Sequence, residues 1–241
     1  MSNGTVFVTG GSRGIGLAVC EALMSEGYTV VAVARQATPE LVDLMARSSG
    51  TLRFERADLS VELERTGLAL RLRACRDLYG LVNNAGVATA GLHVGLAQQE
   101  WSRMWDLNVL TPMVLCQAAA KSMRRARQGK IVNISSISAH KTFRGLAAYT
   151  ATKSAVEGFS RVFAAETGAW GITVNCVAPG FIATDMTAGI PDHLRERIMK
   201  RNALDHRPTA QDVARTVVFL LSDAAAAVTA QVVRVDSGAT A

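Results

Sequence analysis

Along this chain the apolar residues gather into short, nearly continuous runs, at Thr5–Thr9, Tyr28–Ala34, Leu52–Arg56, Leu78–Val82, Lys130–Ile134, Thr173–Ala178 and Val232–Val235. Runs of that length without strict alternation predict strands buried on both faces. Between them a 3.6-residue spacing of apolar positions predicts helices over Leu17–Ser25, Glu62–Ala74 and Gln98 to about Arg125. Alternation of the two predicts an α/β fold, a doubly wound parallel sheet of about seven strands with helices on both faces. No repeat, low-complexity tract or Pro/Gly-rich linker divides residues 1–241, so one domain is expected. Asn108 and Pro112 interrupt the long helical pattern, and a kink near Asn108 follows. The segment 180–206 is too long for a plain connection and carries a short helix pattern at Asp192–Arg201; a substrate-covering lid is expected there.

The first strand runs into Gly10-Gly-Ser-Arg13-Gly14-Ile-Gly16 and then a helix. A glycine-rich turn alone is weak, because many tight strand-to-helix turns want glycine. In this setting the glycines let the backbone approach a diphosphate, whose charge is favoured by the helix N-terminus. The fold expected is therefore Rossmann-type and nucleotide-binding. The second strand ends at Ala34-Arg35, with a guanidinium where a ribose-binding carboxylate would favour NAD. With Arg13 in the turn, NADP(H) is the expected cofactor.

Tyr149 and Lys153 stand four apart, and Ser136 lies thirteen residues before Tyr149. On a helix the first two share a face one turn apart. An isolated Tyr titrates near ~10, and a neighbouring cation favours its phenolate, bringing it toward useful acid–base chemistry. Taken alone, the pair is an ordinary half-buried aromatic and a solvated lysine. Its company changes that reading: Ser136 and Pro179 both lie at C-terminal strand ends, where open α/β sheets place their ligands.

Composition narrows the picture further. The chain is 49% hydrophobic and 19% charged, which excludes a disordered protein, and no apolar run reaches the ~18 residues of a membrane span. Cys20, Cys75, Cys116 and Cys176 stand singly, so neither a disulfide framework nor a metal site is expected, and a cytoplasmic location fits. The N-terminus lacks a secretory pattern. A net charge of +6 is concentrated at Lys121–Lys130 and at Arg195, Arg197, Lys200 and Arg201. Such cations complement a helix C-terminus or recruit an anionic partner; without interleaved aromatics or a binding signature, nucleic acid is not expected.

Taken in order, Thr9-Gly-x-x-x-Gly14-x-Gly16, Asp58, Asn83-Asn-Ala-Gly86, Asn108, Ser136, Tyr149-x-x-x-Lys153 and Val177-Ala-Pro-Gly-Phe-Ile-Ala-Thr184-Asp-Met resemble the short-chain dehydrogenase/reductase family over nearly the whole chain. Within it the chain is most similar to the bacterial 3-oxoacyl-[acyl-carrier-protein] reductases. The resemblance implies that Tyr149 donates a proton to the carbonyl oxygen, that Lys153 lowers its pKa and bonds the nicotinamide ribose, that Ser136 bonds the substrate oxygen and that Asn108 holds a relay water. It further implies that Asp58 faces the adenine and that Asn84 and Gly86 line the cofactor path. Pro179, Gly180 and Thr184 would meet the nicotinamide end. Gly10, Ser12, Arg13, Gly14, Ile15, Gly16, Arg35, Leu59, Ala85 and Ile182 complete the implied contacts, with Tyr149 and Lys153.

Two departures bear on substrate and assembly. Of two family arginines implicated in docking an acidic acyl carrier protein near the site entrance, one matches Arg127 and the other falls on Trp170. The C-terminal Val-Asp-Gly-Gly pattern is altered to Val235-Asp236-Ser237-Gly238. A homotetramer is expected from the resemblance and from apolar positions on Leu107–Met123 and Ala155–Phe163. The leading expectation is an NADPH-dependent reductase of 3-oxoacyl thioesters. A reductase of free ketones and secondary alcohols remains open, while the complete Ser136, Tyr149, Lys153 and Asn108 set opposes a nucleotide sensor without chemistry.

Overall fold

The computed structural model describes residues 3–183 and 202–241. All seven predicted strands are present, none displaced by more than one residue at either end. They are β1 (Thr5–Thr9), β2 (Thr29–Ala34), β3 (Leu52–Arg56), β4 (Leu78–Asn83), β5 (Gly129–Ile134), β6 (Ile172–Pro179) and β7 (Val232–Val235). They form one parallel sheet in the order β3-β2-β1-β4-β5-β6-β7. The chain builds outward from β1 in one direction, then returns to build outward in the other. That reversal leaves a crevice above the C-terminal ends of β1 and β4.

Helices cover both faces: α1 (Gly14–Ser25), α2 (Pro39–Arg47), α3 (Glu62–Ala74), α4 (Gln98–Trp105), α5 (Thr111–Ala126), α6 (Ala147–Thr167) and α7 (Ala210–Leu221). Val6 and Val8 of β1 face a core with α1, α2 and α7, while Phe7 between them faces a second core with α3, α5 and α6. A strand sandwiched in this way needs apolar residues at every position, which is why the runs do not alternate. Leu115, fully buried in the second core, illustrates the energy involved: truncation to Ala would cost about 2–5 kcal/mol.

Two helices, α2 and α7, were not among those expected, although both announce themselves by their caps. Thr38 caps α2 by accepting from the Leu41 amide at 3.3 Å, with Pro39 at the first helical position. Thr209 and Asp212 close a capping box on α7, worth about 1 kcal/mol. Where a kink was expected near Asn108, the chain makes one π-helical turn, Asp106–Leu110, between α4 and α5, with right-handed backbone throughout. Pro112 falls in the first turn of α5, where its missing amide is tolerated.

Candidate active site

The turn after β1 needs glycine for stated reasons. Gly10 and Gly14 have φ of +65° and +53°, and a Cβ at Gly16 would overlap the Gly10 carbonyl oxygen. Asn84, just past β4, holds this turn: its Nδ2 donates to the carbonyls of Thr9 (3.0 Å) and Gly10 (3.1 Å). Thr9 Oγ1 in turn accepts from the amides of Asn84 and Ala85, both at 3.0 Å. Asn84 thus braces the glycine turn through both bonds of its side-chain amide nitrogen. No side chain caps α1, so its first-turn amides suit an anion.

Buried Ser12 accepts from Thr38 Oγ1 at 2.7 Å, joining the turn to the start of α2. Arg13 and Arg35 are exposed, and Ile15 packs on the first core. Asp58 Oδ1 accepts from Ser60 Oγ at 2.6 Å and the Ser60 amide at 3.0 Å. The Ser60 hydroxyl chiefly holds the Asp58 carboxyl below its ordinary range, with Arg35 and Arg56 contributing attraction. Leu59 is buried, its carbonyl accepting from Thr111 Oγ1 at 3.2 Å. A glycine cradle, an uncapped helix start and nearby guanidinium groups fit the phosphates of a dinucleotide.

Ser136 follows β5, and Tyr149 and Lys153 ride the first turns of α6. Ser136 Oγ accepts from the Ser138 amide at 3.1 Å and is hydrogen-bonded to Tyr149. Lys153 is buried, donates to the Ile134 carbonyl at 2.8 Å and lies 5.7 Å from the Tyr149 ring centroid. Burial pulls its ammonium down to about 8, with Cys176 and Glu157 opposing. Tyr149 departs from expectation. Burial raises its pKa above the ordinary phenol value, and the Ser136 hydrogen bond opposes that rise. The Lys153 ammonium is anchored on the β5 backbone beside the ring.

Asn108 sits in the π turn, almost fully buried. Its Oδ1 accepts from the Val87 amide at 2.9 Å, and its Nδ2 donates to the Val87 carbonyl at 2.8 Å and to Thr152 Oγ1 at 3.1 Å. The side chain therefore fastens the β4 exit loop to α6. Pro112, four residues on, has no amide to donate to the Asn108 main-chain carbonyl. Gly86 makes the approach close: a Cβ there would lie 3.1 Å from Asn108 Oδ1 and 3.6 Å from Lys153 Nζ.

Pro179 ends β6, the Gly180 amide donates to the Val235 carbonyl at 2.8 Å, and Ile182 is buried. Thr184 and the Asp192–Arg201 helix pattern, with its basic residues, lie outside the described residues. Beyond them, the amides of Ala203 and Leu204 donate to the Ser237 carbonyl at 2.8 and 3.1 Å.

Arg127 and Trp170 are not near this site within the chain. They precede β5 and β6, so a strand length of about 20 Å separates them from Ser136. Arg127 Nη2 donates to the Ala169 carbonyl at 3.1 Å, and the Arg124 guanidinium lies 4.7 Å from the Trp170 ring centroid. Sequence reasoning also passed over Thr152 and a Ser135–Glu157–His140 cluster in which Ser135 and Glu157 are buried and His140 reaches the surface. Glu157 stands eight residues after Tyr149, a spacing that continues the Tyr149–Lys153 face and could have exposed it.

All four cysteines are free. Among the described residues no group of His, Cys, Asp or Glu is arranged for a metal, and no helix is long and apolar enough to cross a membrane.

Comparison with known proteins places these residues in a wider set. A family model described as enoyl-(acyl carrier protein) reductase, one of the short-chain dehydrogenase/reductase models, matches residues 10–240. The 3-oxoacyl-[acyl-carrier-protein] reductase FabG of Pseudomonas aeruginosa is 36% identical over 237 residues, covering 96% of this chain and 95% of its own. A short-chain type dehydrogenase/reductase structure from Mycobacterium ulcerans aligns with a TM-score of 0.91 at 34% identity, covering 100% of this chain and 90% of its own. A Beutenbergia cavernae structure, described as an NAD(P)-dependent gluconate 5-dehydrogenase with NADP at low occupancy, aligns with a TM-score of 0.92 at 32% identity, covering 99% and 97%.

Proposed function

The chain belongs to the short-chain dehydrogenase/reductase family, and on that premise we propose that it is an NADPH-dependent reductase of the keto group of a 3-oxoacyl thioester. The observation that carries this reading is the hydrogen-bonded Ser136–Tyr149 pair at the end of β5, with Lys153 buried behind it. NADP(H), when bound, supplies the hydride. The protein supplies donors where oxyanion charge develops: Tyr149 gives the proton and Ser136 a hydrogen bond. Relatives named as 3-oxoacyl reductases favour a keto group over the enoyl group in the family model's description.

Gly10, Ser12, Arg13, Gly14, Ile15 and Gly16 would hold the diphosphate and its neighbours. Arg13 and Arg35 would take the 2′-phosphate, Asp58 and Leu59 the adenine, and Ala85, Gly86, Pro179, Gly180, Ile182 and Thr184 the nicotinamide end. A relay water would rest on the Asn108 carbonyl. Segment 180–206 would cover the substrate within the single NADP(H)-binding domain. Exposed Leu110, Met113 and Val162 on the π turn, α5 and α6 support a homotetramer, and four free thiols suit a reducing cytoplasm.

Relatives named as carrier-protein reductases support a carrier-bound substrate. A second reading, reduction of free ketones, is favoured by Trp170 at the second arginine position and by the distance of Arg127 from the site. One assay separates these readings: oxidation of NADPH and of NADH with acetoacetyl-CoA, a carrier-bound 3-oxoacyl thioester, an enoyl thioester and a panel of free ketones. Preference for a keto thioester with NADPH is expected. Turnover confined to free ketones, to the enoyl thioester or to NADH would overturn the corresponding part.

A further inference from the structure

We propose that Glu157 is a positioning residue for the Tyr149–Lys153 pair, its buried carboxylate clamped by Ser135 and His140 and keeping Lys153 in its ammonium form. The inference rests on the reading of the chain as a Tyr149-dependent reductase. Tyr149, Lys153 and Glu157 follow one another at four-residue spacing on α6 and so share a face. Glu157 is only 5% exposed, a burial that a carboxylate tolerates when donors meet it. Ser135 Oγ donates to its Oε1 at 2.5 Å, and His140 Nε2 lies 3.0 Å from the same oxygen. Ser135 immediately precedes Ser136, and His140 follows it by four residues. One carboxylate thereby ties both sides of the Ser136 loop to the helix that carries Tyr149.

The charged and titratable neighbours support an electrostatic role as well. Lys153 is faced by Tyr149 and Glu157 on its own helix and by Cys176 on β6. Glu157 is faced by His140 from the loop, and Cys176 also feels Arg161. Burial pushes the Cys176 thiol up to about 12, so it is neutral at physiological pH and offers Lys153 no charge. Glu157 is the anion that remains. Without it the desolvated ammonium would lose its proton more readily, and a neutral amine cannot stabilise a developing phenolate at Tyr149.

Competitive labelling of Lys153 with acetic anhydride across pH, read by mass spectrometry on the full-length protein, tests the charge directly. In Glu157→Gln, half-titration of Lys153 should occur at about ten-fold lower hydroxide concentration than in wild type, the size expected of a lost neighbouring charge. The alkaline limb of kcat/KM for acetoacetyl-CoA should move with it, and Glu157→Asp should restore both. A purely structural Glu157 would lower Tm and kcat at every pH and leave both titrations in place, which would overturn the proposal. Cys176→Ala gives an independent arm: Lys153 titration should be unchanged, and a ten-fold displacement there would transfer the role to the thiol and sink the Glu157 assignment. If wild type reduced no keto compound in a Tyr149-dependent way, the function reading would fail while the labelling still decided the role of Glu157.

Discussion

The two ends of the sheet are built from the same seven strands and do opposite work. At the N-terminal ends the helices finish, leaving orphan carbonyls, and side-chain donors close them. The hydroxyls of Tyr28 and Tyr79 both donate to the Leu221 carbonyl that ends α7, at 3.4 and 2.8 Å. Asn3 Nδ2 donates to Glu26 beyond α1, Ser122 Oγ to Cys75 and Arg125 Nη2 to Arg73 at the end of α3. Arg127 does the same for Ala169 after α6. At the C-terminal ends the helices begin, amides point outward and glycine replaces side chain. Here α1 has no side-chain cap, Ser138 Oγ is buried without a hydrogen-bond partner among the described residues and Lys153 is buried with a depressed pKa.

The contrast shows why clusters and cavities must be read by their position. A cavity of about 360 Å³ lies at the N-terminal end, lined by Tyr28, Tyr79, Glu26 and Asp223, yet its phenols already close a helix. Within the basic run Lys121–Lys130, Arg125 and Arg127 likewise donate to carbonyls at helix ends. Any carrier docked on Arg127 would face a site other than the one on the same chain, which in a homo-oligomer means a neighbour's.

The sharpest way to break the comparison is at Tyr149. Tyr149→Phe should lower kcat for keto reduction by roughly 10²–10⁴-fold while NADPH binding, followed by fluorescence, stays nearly intact. Tyr79→Phe, the matching change at the other end, should leave kcat within about two-fold and reduce only stability, by about 1 kcal/mol. Equal losses of activity would erase the distinction.

Next in size is the linkage of Lys153. Its pKa of about 8 in the folded protein, against 10.5 for an ordinary lysine, means the unfolded chain binds more protons between those values. Stability therefore rises with pH in that window, by up to about 1.4 kcal/mol per unit, a gain absent below pH 8. Denaturant curves at pH 8 and 9 for wild type and Lys153→Met should show the slope only in wild type, the comparison cancelling the opposing titration of the buried thiols. A flat difference would mean that Lys153 is not desolvated.

Cofactor choice and docking sharpen the picture further. Arg35→Asp should move the kcat/KM ratio toward NADH by about ten-fold or more, because a phosphate partner becomes a ribose-hydroxyl acceptor. Arg127→Glu should leave free-ketone reduction within about two-fold and lower kcat/KM for a carrier-bound substrate several-fold, the wild-type rate with carrier falling as salt rises. Equal effects on both substrates, or no salt dependence, would remove the carrier from the reading. The smallest effect belongs to Ser237, whose φ of +53° occupies a conformation that glycine prefers. Ser237→Gly should change stability by under about 1 kcal/mol, in the stabilising direction, as read by thermal unfolding.

The apolar runs alone determined the strands, the sandwiched sheet and the glycine turn, because burial on two faces and a tight turn leave local marks. The spacing of Tyr149, Lys153 and Ser136 was equally legible, since helix geometry is local. Cap signals at Thr38 and Thr209 were present too, and so were the apolar stripes Leu41–Leu44 and Val213–Val217–Leu220–Leu221 at helical spacing, so both helices were legible and were passed over. Tertiary structure alone decided which groups meet. It turned the Asn108 side chain toward Val87 and Thr152, aimed the Lys153 ammonium at the Ile134 carbonyl, and set burial above hydrogen bonding in the pKa of Tyr149. It also put Arg127 a strand length from Ser136, though only nine residues separate them in sequence. A strand converts sequence neighbours into opposite ends of a molecule, and desolvation depends on atoms that the pleat and the crossovers bring in from far along the chain.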